Sequence, residues 1–187
     1  MKIDTDTGRL MAARFVSSPN CDARPVGMSI DVLVIHAISL PPGEFGGPYI
    51  EQLFCNRLDA EHHEYFREIH GLQVSAHFLI RRDGELVQFV ATTQRAWHAG
   101  ESCCLGRTQV NDFSIGIELE GSDEAAFADP QYTTLCELTI ALRTAYPALD
   151  SSHWFAHSEI SAGRKTDPGP HFDWARYVRL VKRAESS

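Results

Sequence analysis

Residues 30–38, Ile-Asp-Val-Leu-Val-Ile-His-Ala-Ile, restrict the fold of this chain more than any other stretch. They are β-branched and nearly continuously apolar, the pattern of a strand buried on both faces rather than on one. Residues 76–90 add a hairpin: Ala-His-Phe-Leu-Ile-Arg-Arg and Glu-Leu-Val-Gln-Phe-Val flank Asp83-Gly84, a dipeptide favoured in tight turns. Residues 113–121 alternate, with Ile115, Ile117 and Leu119 on one face and Gly116, Glu118 and Glu120 on the other. Helical spacing covers residues 49–55, 62–69, 132–146 and 172–181, and Pro147 ends the third of these. Strands mixed with helices, a hairpin among them, predict an α/β or α+β sheet protein rather than a purely doubly wound one. At 187 residues a single domain is the default. Residues 1–28, weakly periodic and broken by Ser-Ser-Pro-Asn and Arg-Pro, are expected to be an irregular segment packed on a domain spanning residues 29–182.

Composition narrows the partners. A hydrophobic content of 43% and a charged content of 22% are those of an ordinary soluble globular protein. The formal charge of -8 argues against nucleic acid and against anionic membrane surfaces as main partners. No apolar run is long enough for a transmembrane helix, and the polar opening Met-Lys-Ile-Asp-Thr-Asp-Thr-Gly does not read as an export signal. Five cysteines without a Cys-x-x-Cys pair fit free thiols in a reducing compartment better than a disulfide framework or a thiolate zinc site. The expectation is a cytoplasmic, acidic, monomeric protein.

Chemistry concentrates in residues 153–171, which hold His153, His157, Lys165, Asp167 and His171 beside Pro168, Gly169 and Pro170. From 158 to 170 there is no helical or strand period, so a loop is expected, and a loop this rich in ionisable groups is either functional or simply solvated. His36 near the end of the first strand is either a satisfied core residue or a ligand, and the face bearing Glu118 is either wet or purposeful. Trp97-His98 before Ala99-Gly100 is either core packing or the wall of a pocket. Zinc hydrolases commonly use three protein ligands and keep a fourth position open. His36, His157 and Asp167 would supply two nitrogens and one oxygen, with Glu118 available to take a proton and Lys165 to stabilise an oxyanion. No Gly-x-Ser-x-Gly elbow, phosphate-binding glycine loop or His-Glu-x-x-His motif competes with that reading.

Longer motifs carry a resemblance. Val34-Ile35-His36, residues 38–43 (Ile-Ser-Leu-Pro-Pro-Gly), Ser75-Ala76-His77, residues 95–100 (Arg-Ala-Trp-His-Ala-Gly), residues 111–121 (Asn-Asp-Phe-Ser-Ile-Gly-Ile-Glu-Leu-Glu-Gly) and residues 164–169 (Arg-Lys-Thr-Asp-Pro-Gly) resemble the AmpD family. These are the cytosolic anhydro-N-acetylmuramyl-L-alanine amidases of peptidoglycan recycling, and the likeness runs from about residue 14 to residue 178. It implies a central mixed β-sheet flanked by helices, the amidase fold shared with peptidoglycan recognition proteins. It implies one zinc per chain on His36, His157 and Asp167, with Glu118 as general base and Lys165 as transition-state stabiliser. An anhydromuropeptide is the implied substrate, with Trp97, His98, Ala99 and Asn111 as candidate contacts. His153 and His171 match no role, and His77 and His98 are expected to serve structure or pocket rather than metal. The chain departs from the family pattern at Ala37, Gln73 and Gln109 and in residues 158–163. A non-catalytic muropeptide-recognition module and an amidase of intact wall are the rival readings.

Overall fold

The computed structural model describes residues 1–186. Four short strands open the chain: β1 (Ile3–Asp4), β2 (Arg9–Leu10), β3 (Arg14–Phe15) and β4 (Cys21–Ala23). Next come β5 (Val32–Ile38), α1 (Tyr49–Phe54), α2 (Glu64–Ile69), β6 (Phe78–Ile80), β7 (Leu86–Gln88) and β8 (Gln94–Ala96). The small hairpin β9 (Cys103–Cys104) and β10 (Arg107–Thr108) precedes β11 (Ser114–Glu120) and the long helix α3 (Asp129–Ala145). The chain ends in β12 (Trp154–Ala156), α4 (His157–Ile160) and α5 (Trp174–Glu185).

Six strands form the central sheet in the order β12-β5-β11-β6-β7-β3. β12, β5, β11 and β6 run parallel, β7 is antiparallel to β6, and β3 is parallel to β7, so the sheet is mixed. Val32 to Ile35 are wholly buried, because β5 lies second from the edge with both faces covered. Leu33, Ile35, Ile115, Ile117 and Leu119 pack on α3 and α5 through Leu135, Leu138, Leu142, Tyr177 and Val181. On the other face, Leu79, Val87 and Phe89 meet Ile50, Leu53, Phe54 and Phe66 of α1 and α2, while Val32 and Val34 meet Ala99, Val110, Phe113 and Ile160. The hairpin turns where its dipeptide predicts: Gly84 sits at φ +90° and donates from its N–H to the Arg81 carbonyl at 2.9 Å.

Several boundaries differ from the sequence reading. Residues 1–28 are not merely irregular; they contain β1 to β4, whose two- and three-residue strands are too short to show a period. They are tied in by Ile3 and Leu10 in the core, and by Gln88, whose side chain accepts from Leu10 N–H at 2.9 Å and donates to Gly8 C=O at 2.8 Å. Helix α3 starts at Asp129, since Pro130 is tolerated in a first turn and Gln131 Oε1 accepts from Ala128 N–H at 3.0 Å. Helix α5 begins after Asp173, whose carboxylate accepts from Arg176 N–H at 2.8 Å, and continues past residue 181. The expected loop from 158 to 170 is interrupted at its start by α4.

Candidate metal and catalytic site

The carboxyl ends of the parallel strands carry the site, as open α/β sheets generally arrange their ligands. His36 lies in the last turn of the pleat of β5, and the parallel register sets Glu118 of β11 directly beside it. On the opposite side β12 pairs with β5 so that Ala156 faces Ile35, which delivers His157, the first residue of α4, next to His36. Helix α4 can start there because Glu159 reaches back to accept from Ala156 N–H at 2.6 Å. The following loop then returns to the same point, since Asp167 C=O accepts from Ser158 N–H at 3.0 Å.

These connections bring His36, His157 and Asp167 together, with one ligand atom from each lying within 4.8 Å of the others. His36 Nδ1 is 3.2 Å from Asp167 Oδ2, and His157 Nδ1 is 3.1 Å from both carboxylate oxygens. Both histidines are buried. Burial pushes the His36 imidazole down to about 4, against the pull of the Asp167 carboxylate. Burial alone would raise the Asp167 carboxyl, but with no cation between them the two imidazoles can turn a protonated Nδ1 toward it. That hydrogen bonding to His157 and His36 outweighs burial and holds the group well below the usual carboxylate range. The outer nitrogens are also engaged: His157 Nε2 is 3.2 Å from the Ala99 carbonyl, which can only accept. A neutral His157 donating there points a lone pair from Nδ1 at a carboxylate. Three electron-rich donors facing one another is an arrangement that a cation relieves, and the group can hold a metal ion.

Glu118 stands over this cluster in an unusual state. It is buried, and its Oε2 has no hydrogen-bond partner in the protein. Burial, reinforced by the Asp167 charge, pushes its carboxyl well above the usual glutamate value, with Lys165 pulling the other way. Glu120, two residues on and on the same face, is the contrast: it accepts from Gly46 N–H at 2.7 Å and Arg82 N–H at 3.2 Å and pairs with Arg81 at 3.3 Å. The face that alternation left open between wet and purposeful is therefore dry. Lys165 is exposed at the rim of a cavity of about 490 Å³ lined also by His36, Glu118, His157 and Asp167. Leu53, Ile69, Leu72 and Val74 form its apolar wall.

The four candidate substrate contacts separate. His98 lines the cavity, but Trp97, Ala99 and Asn111 lie outside its lining. Asn111 Oδ1 accepts from the N–H groups of His98 and Ala99 at 3.1 and 2.8 Å, and Ala99 C=O receives His157, so these residues brace the site from behind. Of the departures, Ala37 lines the cavity and Gln73 and Gln109 do not. His153 Nδ1 bonds the Asp31 carbonyl at 3.0 Å, and His171 is exposed; neither belongs to the cluster. His77 is buried beneath the site, where its Nδ1 accepts from Gly116 N–H at 3.1 Å. Two residues were missed from sequence. Arg164 ties the loop to the 99–101 segment through the carbonyls of Ala99 and Glu101 at 2.8 and 2.7 Å. Ser114 bonds His98 Nε2 at 3.1 Å; its place on the Gly116–Glu118 face and within the residue 111–121 motif was the signal available.

Comparison with known proteins identifies the family. The N-acetylmuramoyl-L-alanine amidase family profile matches residues 26–170. The chain is 55% identical over 176 residues to 1,6-anhydro-N-acetylmuramyl-L-alanine amidase AmpD of Citrobacter freundii, covering 94% of each chain. The crystal structure of a selenomethionine AmpD derivative superposes with a TM-score of 0.93 at 54% identity, covering 97% of this chain and 99% of that one. The Escherichia coli amidase AmiD, in complex with anhydro-N-acetylmuramic acid-L-Ala-D-γ-Glu-L-Lys, matches with a TM-score of 0.60 at 27% identity over 84% of this chain and 60% of that one. With its fold, the matched residues and these relatives in agreement, the chain belongs to the N-acetylmuramoyl-L-alanine amidase family.

Proposed function

We propose that this protein is a zinc amidase that cleaves the bond between the lactyl group of 1,6-anhydro-N-acetylmuramic acid and L-alanine in soluble muropeptides, in the cytoplasm. The observation that carries the reading is the buried, unpartnered Glu118 oxygen set by strand register beside the donor group of His36, His157 and Asp167. Those three residues would hold the zinc. When bound by such a set, zinc acts as a Lewis acid toward an amide carbonyl and toward water. Glu118 Oε2 takes the proton of the attacking water and passes it to the alanine nitrogen as the amide breaks. The Lys165 ammonium, at the cavity rim, stabilises the negative charge that develops on the former carbonyl oxygen. The apolar wall of Leu53, Ile69, Leu72 and Val74 accommodates the uncharged part of the ligand and excludes water. The selection of an anhydro sugar is supported by the likeness to AmpD, and the small-molecule substrate by the ligand of the AmiD complex.

A recognition module that only binds muropeptides would not need to bury an unpaired carboxyl at this cost. Hydrolysis of anhydromuramyl-tripeptide, followed by chromatography of the released tripeptide, decides between the two. We expect turnover with one zinc per chain, its loss on chelation, and recovery on adding zinc back. His157→Ala should abolish metal binding and His153→Ala should not. Stoichiometric ligand binding without product, in metal-replete protein, would establish the recognition module instead.

A further inference from the structure

Both ring nitrogens of His98 are engaged within the protein, and the direction of each hydrogen bond follows from its far end. The Val110 carbonyl can only accept, so Ser114 Oγ donates its hydrogen to it across 2.6 Å. Ser114 Oγ then serves as acceptor for His98 Nε2–H at 3.1 Å. A neutral His98 protonated on Nε2 carries its lone pair on Nδ1, which lies 2.9 Å from His36 Nε2. His36 must therefore donate from Nε2, which leaves the lone pair of its ring on Nδ1. That is the atom facing Asp167 and belonging to the three-donor group.

We infer that His98, fixed by Ser114 and the Val110 carbonyl, is a positioning residue that sets the tautomer and orientation of His36 so that Nδ1 is presented to the metal. The inference rests on the reading of His36, His157 and Asp167 as the ligand set, and it goes beyond that reading by naming what makes His36 competent. Ligating histidines generally need such an outer partner on the second nitrogen. His157 obtains one directly from the Ala99 carbonyl; His36 Nε2 obtains one through a second imidazole.

Two independent features of the fold serve this arrangement. Gly116 faces the His98 ring, and a Cβ there would run into the Cγ, Nδ1 and Cδ2 atoms of that ring, so the glycine on β11 is the seat on which His98 rests. Asn111 Oδ1 holds the N–H groups of both His98 and Ala99, so one side chain fixes the outer partners of both ligating histidines. With both nitrogens occupied, His98 has no ring donor or acceptor left to offer a substrate, although its side chain lines the cavity.

The test measures zinc affinity by competition with a chromophoric chelator, and ¹⁵N spectra of the imidazoles in the zinc-loaded protein. His98→Phe keeps a ring on Gly116 but removes the acceptor, and should weaken zinc by roughly 10- to 100-fold, the usual effect of deleting an outer partner. Ser114→Ala should weaken it less but in the same direction, while His98→Asn, with an oxygen near the former Nδ1, should recover most of the loss. In the wild type, His98 should be protonated on Nε2 alone, with a ¹⁵N–¹⁵N coupling across the hydrogen bond from His36 Nε2 to His98 Nδ1. If His98→Phe does not fold, Ser114→Ala and the wild-type spectra decide. A wild-type His98 protonated on Nδ1, or zinc bound as tightly by Ser114→Ala and His98→Phe as by wild type, overturns the inference and leaves the ligand set standing. A wild type that binds no stoichiometric zinc overturns the ligand set, and the inference with it.

Discussion

At the scale of the residue, the tasks proposed for Glu118 and Lys165 differ and should be separable. Lys165→Ala should keep the metal and lose about 100- to 1,000-fold in kcat, the effect of deleting an oxyanion donor. Glu118→Gln should also keep the metal and lose roughly 100- to 10,000-fold, the contribution of a positioned general base. Wild-type turnover in either variant would remove that residue from its assigned role. Glu118 also carries a stability signature in the metal-free protein. Its carboxyl is raised in the folded state, so its contribution is fully present below the ordinary glutamate value and lost as pH rises through the raised one. Replacing it by a permanently neutral amide should then raise the urea midpoint at pH 8 and leave it nearly unchanged at pH 4. Equal shifts at both pH values would show that burial of the charge is not what perturbs this group. The residue types were legible in the sequence, because two histidines, an aspartate, a lysine and a glutamate stand out by chemistry. Their outer partners were not: Ser114 and Arg164 have no unusual chemistry and acquire a role only through contacts 16 and 65 positions away in sequence.

At the scale of the element, β11 shows why alternation alone could not settle its polar face. An alternating strand looks the same whether its second face meets water or a buried site, and only the sheet order places β11 between β5 and β6. The same register explains two carboxylates with opposite fates. Glu118 faces the cavity, while Glu120 anchors the residue 43–48 turn and Arg81. Glu120→Ala should remove the acceptor of two backbone N–H groups, one in the turn and one after the hairpin strand, and destabilise by about 1–3 kcal/mol. Arg81 keeps Glu51 at 2.9 Å, so the loss should stay below that of stranding a buried charge. A denaturation midpoint unchanged from wild type would mean that water replaces Glu120 without cost. Long elements were readable from their periods: β5, β11, α3 and the β6–β7 hairpin lie where the pattern puts them. β1 to β4 and α4 were not, because strands of two or three residues and a single helical turn contain less than one usable repeat, and β3 and β4 form only through β7 and β8 far along the chain.

At the scale of the whole molecule, charge and cavity size point to the same class of substrate. A cavity of about 490 Å³ is of the size that encloses a small ligand, with donors on its floor and an apolar wall on one side. The chain carries 25 acidic residues against 17 lysines and arginines, and a surface of net charge -8 repels an anionic polymer at low ionic strength. Among the described residues no helix is long and apolar enough to cross a membrane. We therefore expect kcat/KM for soluble anhydromuramyl-tripeptide to exceed, by a wide margin, the rate of peptide release per cleavable bond in purified sacculi. Salt separates the two contributions. Raising ionic strength from about 0.01 M to about 0.15 M shortens the screening length from roughly 30 Å to roughly 8 Å. It should increase release from sacculi by weakening long-range repulsion, and it should leave the small substrate nearly unaffected because its recognition takes place inside the cavity. If sacculi remain poor at high salt, enclosure rather than charge sets the preference. Sacculi cut as well as the tripeptide at low salt would sink the assignment to soluble fragments, while the amidase chemistry at Glu118 and Lys165 would stand.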